Sequence, residues 1–231
     1  MIRSWSILLA GAGLAALTGC TAGDQPTPPP PSATVSAPVM PAYFASLGTT
    51  CPTLDSPESA RFTRSQPGRW NLLPEKSDII DWVDCGWRPK DADDSEAPPW
   101  VTVNIRIHLD SSTPHKSAYE YAERDFTRSR DEAMTRAGRL QPGVVRVAER
   151  DTPSGPAVVV ADVDDAEITK NIDELRQTTR VGNLLVTVML FEAKDAGGGD
   201  ADKMMAELPA TADAITAEVL EHMAKQQTAT A

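Results

Sequence analysis

The chain of 231 residues is poor in the residue types that most often carry chemistry, with three cysteines, three histidines and 5 % aromatics. Basic residues are scarce too: 22 Lys and Arg stand against 33 Asp and Glu, a net charge of −11 at pH 7. That field repels polyanions, which excludes nucleic acid and disfavours anionic lipid headgroups as partners. No apolar run is long enough to cross a membrane as a permanent helix. The longest, Ile7–Leu17, falls well short of the about 20 residues that roughly 30 Å of hydrocarbon requires. There is no Gly-x-Ser-x-Gly elbow, no His-Glu-x-x-His and no Ser-x-x-Lys. The run Gly197-Gly198-Gly199 lacks the Lys-Ser/Thr of a phosphate-binding loop. His108, His115 and His222 show no ligand spacing with the cysteines. No catalytic residue, cofactor or metal is therefore expected. An apolar fraction of 41 % still suits a folded domain, and the length suits one.

What is present begins at the N-terminus. Met1–Cys20 reads MIRSWSILLAGAGLAALTGC, with Arg3 as a positive start and Ile7–Leu17 as an apolar core. The stretch is a signal peptide by length and flanks. Its end, Leu17-Thr18-Gly19-Cys20, resembles the lipobox of bacterial lipoproteins. The resemblance implies a diacylglycerol on the Cys20 thiol and cleavage just before it. Each buried CH₂ contributes about 0.8 kcal/mol and stable anchoring takes two chains, so the diacylglycerol meets the need without a spanning helix. Residues 1–19 are then the signal, and losing Arg3 moves the net charge to −12. The expected location is the extracytoplasmic face of the cell membrane.

Residues 20–48 read as the lipidated cysteine and a tether. Pro26, Pro28, Pro29, Pro30, Pro31, Pro38 and Pro41 stand among Thr, Ser and Ala, with no charge after Asp24. Such a run favours extended polyproline II, about 60 Å for twenty residues. Cys51 and Cys85 remain once Cys20 is assigned. Outside the cytoplasm an even pair is expected to form a disulfide, worth about 3.5–4 kcal/mol by loop closure.

Residues 49–226 read as a single domain and 227–231 as a flexible tail. Asp78–Trp87 is β-branched and aromatic, hence a strand. Val101, Val103, Ile105, Ile107 and Leu109 alternate with Thr102, Asn104, Arg106, His108 and Asp110, a strand with one core face and one polar face. A helix follows over Lys116–Gly138, with Tyr119, Ala122, Phe126, Ala133 and Ala137 as its buried stripe and Gly138 as its cap. Strands are expected at 143–149, 157–163, 174–181 and 184–192. The first pair turns at Pro153-Ser154-Gly155-Pro156 and the second at Gly182-Asn183. Leu184–Phe191 is apolar on both faces, which suits a central strand. Asp200–Lys225 closes the chain as a helix that buries Met204, Leu208, Ile215, Val219 and Met223, with Pro209 kinking it or starting its main segment. The order β-β-α-β-β-β-β-α implies an α+β fold, a curved antiparallel sheet packed on one side against two main helices.

Two fragments resemble small actinobacterial lipoproteins of unknown function and related extracellular sensor domains of receptor kinases. One is Cys85-Gly86-Trp87, ending an early strand. The other is Arg180-Val181-Gly182-Asn183-Leu184-Leu185-Val186, entering a late one. The resemblance implies a sensor or binding-like α+β domain and carries no catalytic residues.

Candidate sites are few. The alternation sets Asn104, Arg106 and His108 on one polar face, which lines a cleft if the sheet curves and otherwise meets solvent. Asp91, Asp93, Asp94 and Glu96 form one acidic cluster, and Asp162, Asp164, Asp165 and Glu167 another. Neither has the calcium-loop pattern with its central glycine, so both read as solvated turns. Trp70, Trp82, Trp87 and Trp100 suit a core aromatic cluster rather than the floor of an apolar pocket. The expected function is a membrane-anchored binding, sensor-like or accessory module whose ligand is an envelope lipid or polymer fragment in a cleft, or another envelope protein; a deep apolar cavity would support ligand binding. The alternatives are an envelope enzyme using His108 with a carboxylate, or a purely structural interaction protein.

Overall fold

Seven described strands build one sheet, and three described helices pack on it. The computed structural model describes residues 43–47, 50–64, 80–89, 101–110, 116–140, 143–163, 172–193 and 199–229. The signal segment, Cys20, the tether to residue 42, Trp70, the cluster Asp91–Glu96, Trp100, His115, the triad Asp164, Asp165 and Glu167, and Gly197-Gly198 lie outside the described residues. The described elements begin with strands β1 (Phe62–Arg64), β2 (Ile80–Pro89) and β3 (Val101–His108), then helix α1 (Ala118–Arg139). Strands β4 (Val145–Thr152), β5 (Gly155–Asp162), β6 (Ile172–Val181) and β7 (Leu184–Ala193) follow, and helices α2 (Ala201–Glu207) and α3 (Pro209–Ala229) close the chain.

The strands form one open sheet in the order β1-β2-β3-β7-β6-β5-β4, antiparallel at every pairing. The class is α+β, as the pattern of elements implies. β7 is the central strand, between β3 and β6, which explains its apolar residues on both faces. Two elements differ from the expected order. β1 is three residues long, too short to show a period. The last helix is two, because Pro209 has no N–H and its ring clashes with the preceding turn. Leu208 ends α2 with its own N–H still donating to the Met204 carbonyl at 3.0 Å.

The sheet is covered on both faces, not one. Val101, Val103, Ile105 and Ile107 join Leu184, Val186, Val188 and Leu190 in the main core, together with Met204, Leu208, Ile215, Val219 and Met223 from α2 and α3. On the other face, Phe126 of α1 packs against Val158 and Leu185, with Val147 and Val160 half-buried beside them. Helix α1 starts in a capping box: the Glu120 N–H donates to Ser117 Oγ at 3.3 Å, and the Ser117 N–H donates to the Glu120 carboxylate at 2.7 Å. It ends at Leu140, one residue past Arg139, so Gly138 lies inside its last turn. Its buried residues are Ala118, Ala122, Asp125 and Phe126. Tyr119, expected in the stripe, is 38 % exposed, because the stripe is rotated toward Asp125.

The domain takes in more of the chain than composition suggests. Tyr43–Leu47 lies within the stretch that reads as tether, yet Phe44 is fully buried in the main core. Asn183, in the turn after β6, holds it there: the Phe44 N–H donates to Asn183 Oδ1 at 2.8 Å and Asn183 Nδ2 donates to the Phe44 carbonyl at 2.9 Å. Cys51 is disulfide-bonded to Cys85, with Cα atoms 5.9 Å apart. His222 of α3 meets the neighbouring Thr50 carbonyl at 2.8 Å. At the other end α3 runs through Ala229, into the stretch read as a tail. Trp87 is buried in the core and Trp82 is half-buried on the opposite face of β2.

Candidate functional site

Helix α1 buries side chains against the sheet in its first half only, and its second half reaches the sheet through charged pairs such as Arg136–Asp162. All four of its buried residues precede position 127. In the second half Ser129, Glu132, Ala133 and Arg136 line the gap, and Ser129 and Ala133 are too small to fill it. A cleft of about 490 Å³ results between α1 and the polar face of the sheet. Asn104 and Arg106 line it, with Asp84 from β2, Glu174, Arg176 and Thr178 from β6, and Thr187 and Met189 from β7. Val158, Val160 and Asp162 complete the sheet side, and Glu132 and Arg136 the helix side.

Most of the residues that line the cleft are polar or charged, so it is not the deep apolar cavity that would support a lipid ligand. Val158, Val160, Met189 and Ala133 are the apolar side chains among those lining it. Arg136 pairs with Asp162 at 2.7 Å and Arg176 with Glu174 at 2.7 Å. Asn104 Nδ2 donates to Asp84 Oδ1 at 2.7 Å, and the Thr178 and Thr187 hydroxyls share a hydrogen bond of 3.1 Å. Such a surface presents donors, acceptors and both signs of charge beside apolar side chains. It suits a ligand of mixed polarity rather than an acyl chain, whose burial needs apolar walls.

His108 lies off this cleft. It closes β3 on the same face as Asn104 and Arg106, but α1 covers it completely and its ring is fully buried. The ring stacks on Tyr121 with centroids 6.4 Å apart and planes 12° apart. Nε2 lies 3.5 Å from Asp125 Oδ2, and among the described residues neither ring nitrogen has a hydrogen-bond partner. Burial lowers the pKa of His108 below its ordinary 6.5; Asp125 opposes the shift, and Arg106, Arg124 and Arg128 add to it. The main chain is fixed as well: the His108 N–H donates to the Asn183 carbonyl at 2.9 Å, and Asn183 Nδ2 donates to the His108 carbonyl at 2.7 Å.

Asp125 organises the junction of α1 and β3. It is buried, with Arg124 Nη2 and Arg128 Nη2 donating to Oδ1 at 3.3 and 3.2 Å. Arg106 Nη1 stands 3.9 Å from Oδ2. Sequence reasoning passed over this residue, although a signal exists. Ala118, Ala122 and Phe126 mark the stripe, and Asp125 falls seven residues after Ala118 and three after Ala122. Glu174, Arg176 and Thr178 could have been found from the parity of β6 in the same way.

Of the remaining candidates, Asp162 pairs with Arg136 rather than facing solvent alone. Among the described residues no group of three His, Cys, Asp or Glu side chains is placed to hold a metal ion. The chain matches no known protein family, no curated protein and no solved structure.

Proposed function

We propose that the chain is a cell-envelope lipoprotein, anchored through a diacylglycerol on Cys20, whose domain binds a polar ligand in the cleft between α1 and the sheet. The observation that carries this reading is the cleft itself: about 490 Å³ of space lined by paired charges and hydroxyls together with Val158, Val160, Met189 and Ala133. A surface with donors and acceptors already held in place binds without first ordering its own side chains. The role is that of a binding, sensor-like or accessory module. The lipobox-like Leu17–Cys20 supports the anchor, and the Cys51–Cys85 disulfide fits an oxidising compartment. No helix among the described residues is long and apolar enough to cross a membrane.

An enzymatic reading would rest on His108 and Asp125, which lie 3.5 Å apart. The buried ring reaches no cleft surface, and the arginines engage the carboxylate, so a positioning role for the pair accounts for it better. Two measurements test the proposal. Cys20→Ala should release the chain from membranes, and continued membrane association would remove the anchor from the reading. Native mass spectrometry of the full-length chain, purified from its own cells in mild detergent, should show a non-covalent adduct that denaturation releases. A bare chain would remove the ligand.

A further inference from the structure

Three guanidinium groups converge on one carboxylate where α1 crosses β3. Asp125 lies within 4 Å of Arg106, Arg124 and Arg128, at 3.9, 3.3 and 3.2 Å. Among the described residues none of the three has another ion-pair partner, so three guanidinium groups share one carboxylate in a chain of net charge −11. The carboxylate is 4 % exposed, whereas the arginine side chains are 37, 51 and 60 % exposed. Each guanidinium has five N–H donors in a planar fork, and a single contact to Asp125 leaves most of them facing outward.

The arginines are also held in place. Arg124 lies over the Tyr121 ring at 5.0 Å, and the buried Asp125 fixes one end of each fork. Arg106 belongs both to this cluster and to the wall of the cleft. We propose that Arg106, Arg124 and Arg128, gathered by Asp125, form a binding site for a tetrahedral oxyanion, a phosphate group, at the Arg106 end of the cleft. The assignment rests on the cleft being a ligand site and names the group bound at one end of it. Three forks suit a phosphate better than a carboxylate, because a phosphate has three or more oxygens to share among them. The net charge favours a soluble phosphorylated ligand over a lipid surface.

The test titrates inorganic phosphate into the purified full-length chain at constant ionic strength, with chloride as the balancing anion. Binding is read from the rise in Tm and from calorimetry. A saturable response is expected, and Arg124→Gln and Arg128→Gln should each weaken it about tenfold, the usual scale for one charge-assisted hydrogen bond. Both side chains are more than half exposed, so the variants should keep the fold, which near-UV circular dichroism checks. Arg139→Gln, at the far end of α1, should bind as the wild type does. Absence of a response beyond chloride, or equal binding by all variants, overturns the site. Phosphatidylglycerol vesicles displacing phosphate, where phosphatidylcholine vesicles do not, would place the phosphate on a lipid headgroup and overturn the soluble source. A missing phosphate response with the envelope adduct retained removes only the oxyanion site. A phosphate response with no adduct removes the cleft reading instead.

Discussion

Asn183 supplies three separate backbone contacts. Its side chain accepts from the Phe44 N–H and donates to the carbonyls of Phe44 and His108, all in the buried interior. Asn183→Ala would leave three backbone groups unpaired, so a loss of about 2–4 kcal/mol is expected in urea unfolding; a loss under about 0.5 kcal/mol would show that the contacts carry little. His108 supplies a second prediction. Its folded pKa lies below 6.5 because the ring is buried, whereas the unfolded chain titrates near 6.5. The unfolded state therefore takes up the proton first as pH falls. The stabilisation is complete above 6.5 and is lost progressively down to the lowered folded value. His108→Phe should flatten that part of the profile, which urea midpoints at pH 7.5 and 5.5 would show; parallel profiles would refute it.

At the scale of elements, two features tie the sheet together. Cys51–Cys85 joins the N-terminal segment to β2 across 34 residues. Replacing both cysteines with serine should cost about 3.5 kcal/mol by loop closure, seen as a lower Tm of the non-reduced protein. Gly155 opens β5 at φ +142°, and a Cβ there would collide with the Arg180 carbonyl of β6. Gly155→Ala should therefore cost about 1–3 kcal/mol and loosen the β4–β5 hairpin, with faster amide exchange across it; unchanged exchange would contradict this. The longer strands are legible in the sequence as β-branched, apolar or alternating runs: ten alternating residues, Val101–Asp110, suffice to set Asn104 and Arg106 on one face, whereas Leu184–Phe191 is legible only as an apolar run. Two features are not legible there. Burial of His108 comes from α1 crossing the polar face, a tertiary placement to which β3 contributes no signal. The cleft exists because Ser129 and Ala133 are small where the helix faces the sheet, and small residues on a helix read as neutral. The packing of Phe44 is hidden by the prolines around it, which make the whole stretch look like spacer.

Over the whole molecule, scarcity and surplus have a spatial meaning. The few aromatics and the disulfide serve the core and fix the N-terminal segment, with Phe44, Trp87 and Cys85 all buried there. Charge instead gathers where α1 stands off the sheet, in pairs along the cleft and in the arginine cluster at one end. A polar ligand held there, beneath a helix whose buried side chains all lie in its first half, is the central claim. Ala133→Trp fills the cleft from the helix side at a half-buried position without touching Asp125 or the main core. The most direct measurement is native mass spectrometry of wild-type and Ala133→Trp chains purified from the same cells, with circular dichroism to confirm that both fold. The wild type should carry the adduct and the folded variant should lack it. An adduct of equal occupancy on both would contradict binding in the cleft.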